Sequence, residues 1–113
     1  MRYLEPGSVS IASPVSAADL KPPPKFVIVR ITQVENPKQV PLRFTVSFRP
    51  VRGEETALGT FSLYPADRPG RFIVATQDKV EPGGEIIVEL NNAGLQSMKQ
   101  VRVGVAALAL GSQ

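Results

Sequence analysis

The chain has 113 residues, 42% hydrophobic and 20% charged, with a formal net charge of +3. That is enough apolar surface for one packed core without covalent staples. Cys and His are both absent, which excludes disulfides, thiolate nucleophiles, thiolate zinc sites and imidazole-based acid–base or metal chemistry.

The eight Arg and five Lys are scattered, and the densest group, Arg43, Arg49 and Arg52, runs straight into Glu54 and Glu55. No basic run could track a phosphate backbone, so nucleic acid is not an expected partner. The opening MRYLEPGSVS lacks the apolar run of a signal peptide. No stretch reaches the roughly 18 apolar residues of a membrane-spanning helix, so a soluble chain is expected, with its compartment left open.

Residues 1–25 differ from the rest. They hold Pro6, Pro14, Pro22, Pro23 and Pro24 with Ser8, Ser10, Ser13 and Ser16. This composition predicts an extended arm or linker, stiffened by the proline run. A short extended piece around Val9–Ile11 could add to a sheet, confined by proline to an edge.

From Phe26 the pattern turns to strands. FVIVRITQV is rich in β-branched residues and ends at an Asn36-Pro37 turn. PLRFTVSFR alternates strictly, with Leu42, Phe44, Val46 and Phe48 on one face and Arg43, Thr45, Ser47 and Arg49 on the other. That is a half-buried antiparallel strand. A polar turn with Gly53 leads into ALGTFSLYP, closed by Pro65.

Ala66 to Gly70 has turn chemistry, RFIVAT reads as a short strand, and Glu81-Pro82-Gly83-Gly84 is a second strong turn. EIIVEL places Ile86, Val88 and Leu90 on one face, with Glu85 and Glu89 flanking Ile87 on the other. Asn91 to Met98 reads as a loop, and KQVRVGVAALAL as one final strand with closely packed alanines.

Six to seven strands separated by regular turns predict an all-β fold, an antiparallel β-sandwich of jelly-roll or Ig-like type over residues 26–110. Phe44 and Phe48 are expected in the core, with Phe61 able to pack inside. No paired chemistry emerges. Glu54 and Glu55 are neighbours that point apart, and Glu85 and Glu89 lie about 13 Å apart by strand rise. No glycine pattern cradles phosphate. No catalytic residue, cofactor or metal is expected.

The segment TALGTFSLYPADRPGRFIVATQDKV is distinctive: a Gly, then Phe-Ser-Leu-Tyr-Pro, a turn, and Arg-Phe-Ile-Val. It resembles the C-terminal β-sandwich domain of tyrosinases and polyphenol oxidases, the type-3 copper proteins. FVIVRITQVENPKQVPLRFTVSF resembles the entry strands of that domain, and EIIVELNNAGLQSMKQVRVGVAALAL its closing strands, over roughly residues 20–110. The resemblance implies a non-catalytic accessory module that packs over the entrance of a copper domain and shields it. A chain without His cannot itself be the copper domain. Tyr64, at a strand end before Pro65, and Leu95, in a loop, are the candidate partner contacts. Two other roles fit the composition: a structural or assembly protein whose arm reaches a neighbour, with homo-oligomers allowed, and a carbohydrate or small-ligand module with aromatic rings on one face.

Overall fold

Alternation of apolar and polar residues over Leu42–Arg49 and Glu85–Asn92 makes two long antiparallel neighbours, in register from Leu42↔Asn92 to Arg49↔Glu85. The computed structural model describes residues 2–5, 9–16, 24–37, 39, 42–63, 68–77, 79–92 and 101–111. In chain order its strands are β1 (Arg2–Leu4), β2 (Ser10–Pro14), β3 (Phe26–Glu35), β4 (Leu42–Arg49), β5 (Thr56–Ser62), β6 (Gly70–Ala75), β7 (Glu85–Asn92), β8 (Arg102–Val105) and β9 (Ala109–Gly111).

They form two antiparallel sheets. One runs β1-β8-β3-β6, with β9 also paired to β3; the other runs β2-β7-β4-β5. From β1 to β8 only the β4–β5 hairpin stays within a sheet, and every other connection crosses to the opposite one. That order is a jelly roll, and no helix occurs among the described residues.

The inward faces supply the core: Val27, Val29 and Ile31 of β3; Leu42, Phe44, Val46 and Phe48 of β4; Ile86, Val88 and Leu90 of β7; Val103 and Val105 of β8. Three rings stack across the seam between the sheets. Phe61 of β5 lies 4.9 Å from Phe44 of β4 and 4.2 Å from Phe72 of β6, nearly parallel to both.

Within the stretch that composition predicts as an arm over residues 1–25, the described residues hold two edge strands, one on each sheet: β1, paired with β8, and β2, paired with β7, where a short edge strand around Val9–Ile11 is expected. Leu4, Ile11 and Val15 are buried in the core. These strands are too short to show periodicity, and Pro14 stands at the edge position proline permits. Of the proline run, Pro22 and Pro23 lie outside the described residues, while Pro24 is buried.

The C-terminal run is likewise two strands. β8 and β9 pair in succession with β3, whose register against β8 shifts between Ile31 and Gln33. The chain between them is tied by the Ala106 amide donating to the Arg30 carbonyl at 3.0 Å.

Thr76 shows how the chain entering β3 is held. It is 1% exposed, its hydroxyl donates to the Pro24 carbonyl at 2.9 Å, and its amide donates to Lys25. Thr76→Val keeps the shape and leaves that buried carbonyl without a donor. A loss of about 1–3 kcal/mol is expected from urea unfolding.

Candidate partner-binding face

Alternation fixes what each sheet shows on its outside. On β3, Val27, Val29 and Ile31 point inward, so Phe26, Ile28 and Arg30 point outward. The β3–β6 register sets Ala75 opposite Phe26, Ile73 opposite Ile28 and Arg71 opposite Arg30. β9 adds Gly111 beside Phe26 and Ala109 beside Ile28.

One end of this outer face is therefore apolar: Phe26, Ile28, Ile73, Ala75 and Ala109. Ile73 is 53% exposed, one of two large apolar side chains, with Val51, that are exposed among the described residues. The next rung holds Arg30 and Arg71 directly opposite each other, both exposed, and neither has an ion-pair partner among the described residues. Like charges across a rung are unfavourable, so the pair remains a local positive field.

Further along the same face, Tyr3 of β1 lies over Gly104, its hydroxyl donating to Gln33 Oε1 at 3.1 Å. The Arg102 guanidinium sits 3.8 Å from the Tyr3 ring centroid and pairs with Glu5 at 3.4 Å. That end is covered by its own side chains; at the other end Phe26 and Ile28 are half-buried and Ile73 is exposed.

The outer face of the other sheet is different in kind. Short side chains, Ser10, Ala12, Thr45 and Ser47, leave a dish of about 300 Å³ floored by Ile87 and rimmed by Arg49, Glu55 and Glu89. Asn91 Nδ2 donates to Thr45 Oγ1 at 3.1 Å. Glu85 holds Arg49 at 2.7 Å; that hydrogen bond, then the carboxylate charge, raises the Arg49 pKa above its ordinary value. Glu85 and Glu89 share this face as their spacing predicts, with Glu85 committed to Arg49.

Tyr64 and Leu95, the candidate contacts from sequence, lie outside the described residues. Of the aromatic residues described, Phe44 and Phe48 are buried and Tyr3, Phe26, Phe61 and Phe72 are half-buried, so none forms an exposed platform. No cluster of three or more acidic side chains suited to a metal occurs among the described residues.

The sequence pattern does not single out the apolar corner, although it carries a signal for it. RFIVAT has apolar residues on both faces, so whichever face turned inward, at least one large apolar side chain had to point out. No family model, no curated protein and no solved structure matches this chain.

Proposed function

We propose that this chain is a non-catalytic binding domain that docks on a partner protein through the outer face of the β1-β8-β3-β6 sheet. The observation that carries the reading is the half-exposed Ile73, seated among Phe26, Ile28, Ala75 and Ala109 beside an arginine rung with no ion-pair partner among the described residues. An apolar centre with a charged margin is what a specific protein interface offers. The resemblance to the C-terminal domain of polyphenol oxidases suggests a partner: a type-3 copper domain whose entrance the sandwich covers. The assembly reading, with a free arm reaching a neighbour, is less supported, because β1 and β2 pair within their own chain.

Titrating the chain into a tyrosinase-type copper domain tests this. Diphenol oxidation is expected to fall as a one-to-one complex forms, and Ile73→Asp is expected to weaken that complex by about 1–3 kcal/mol. Unchanged turnover with no complex on gel filtration would end the shielding role.

The dish on the opposite face favours one second reading, a small hydroxylated ligand held by Ser47, Thr45 and Glu89. Chemical-shift changes at those residues on adding a disaccharide would support it, and a silent titration would remove it.

A further inference from the structure

We propose that the free edge of β6 takes up an extended acidic segment of the partner as an added antiparallel strand, an inference that rests on the docking reading above.

The phase of the β3–β6 ladder follows from the Thr76 amide bonded to the Lys25 carbonyl, at 2.9 Å. Hydrogen-bonded pairs recur every second residue, which makes them Val27↔Val74, Val29↔Phe72 and Ile31↔Gly70. The Arg30 carbonyl, accepting from Ala106 on the other side of β3, agrees with this phase. Arg71, Ile73 and Ala75 therefore turn their N–H and C=O groups away from β3, toward an edge that no described strand pairs.

The other outer strands are each blunted. β1 and β9 have three residues apiece, and β2 ends in Pro14. β5 is bulged, its register against β4 shifting between Val46 and Ser47, and its Leu58 carbonyl is capped by Gln77 Nε2 at 2.8 Å. β6 has none of these devices: six consecutive residues in unbroken register, without Pro or Lys. Short strands, proline and bulges are how sheets discourage added strands, so their absence marks the edge open to one.

Side chains then specify the occupant. A strand added antiparallel presents three outward positions, opposite Ala75, Ile73 and Arg71. The first two call for small or β-branched apolar residues. The third faces the Arg30–Arg71 rung and calls for Asp or Glu, which would relieve the repulsion within it. The two positions between lie opposite Val74 and Phe72 and call for apolar residues toward the core. A second copy of this chain pairing β6 with β6 would bring two more arginines to the same face, so charge favours the acidic segment.

The test uses a capped peptide with Val opposite Ile73 and Glu opposite Arg71, titrated into the intact chain and followed by NMR. The expected result is new exchange protection at the Arg71, Ile73 and Ala75 amides, while Phe72 and Val74 are protected throughout. Replacing the peptide Glu by Lys is expected to weaken binding about tenfold. N-methylating the peptide residue opposite Ile73 is expected to abolish it, since its side chains remain but its N–H is lost. Equal binding by the N-methyl peptide overturns the added strand while leaving face docking intact. Equal binding by the Lys peptide overturns the acidic requirement. Protection of the three amides on raising the chain's own concentration, without peptide, replaces the acidic segment with a second copy.

Discussion

Gly84→Ala is expected to destabilise the chain by about 3 kcal/mol, near the upper end of ordinary overpacking. Gly84 is buried where the β6–β7 turn enters β7, directly against the end of β4. A Cβ there would stand 2.4 Å from Phe48 Cζ, 2.7 Å from Phe48 Cε1 and 2.6 Å from the Arg49 carbonyl oxygen. The ring is itself buried, and the carbonyl belongs to a strand paired on both sides. Neither can withdraw without moving the β4–β7 ladder. The same segment is pinned by the Val15 amide donating to the Gly84 carbonyl and the Gly83 amide donating to Val15, at 2.9 and 2.8 Å. Urea unfolding reads the loss as a lower midpoint, and Gly84→Val should not fold at all. A Gly84→Ala protein as stable as the parent would mean that the turn relaxes freely. Gly83, next door, has φ +87, so alanine there is strained by its backbone rather than by the Phe48 ring.

The second large effect is expected at Phe44. It is fully buried, and its ring forms one end of the Phe44–Phe61–Phe72 stack. Phe44→Ala removes the ring from the centre of the sandwich, where strands on both sides prevent collapse, and a loss of about 3–5 kcal/mol follows. For a small domain of total stability about 5–15 kcal/mol, much of the folded population is at stake. Phe61→Leu should cost clearly less, because Phe61 is half-buried and leucine refills part of the space. If the two substitutions cost the same in urea unfolding, the stack, rather than burial, dominates at this seam.

The long strands were legible because their periodicity is enforced by burial on one side only. In Leu42–Arg49 the inward residues are all large and apolar and the outward ones polar, and the structure places them so. β7 is similar. Other features left little or no local trace. Only the short piece around Val9–Ile11 hinted at β2, and β1 and β2 are strands because β8 and β7 offer them partners far along the chain, while their proline and serine content suits a linker equally well. The break between β8 and β9 falls opposite Val29 and Arg30 of β3, and nothing within the KQVRVGVAALAL run marks it. Choosing a jelly roll over an Ig-like order depends on which connections cross, and turn chemistry does not encode that. The apolar corner follows from the same gap: only once Phe72 and Val74 are known to face inward does Ile73 become the exposed residue.

The pairing of β1 with β8, Arg2 against Val105, has a consequence for how the chain comes to be folded. Leu4 lies against β8 and Ile11 against β7, so neither strand can settle until those distant segments have formed. Folding with such high contact order is expected to be slow, and Leu4 and Ile11 stay uncovered until its late steps.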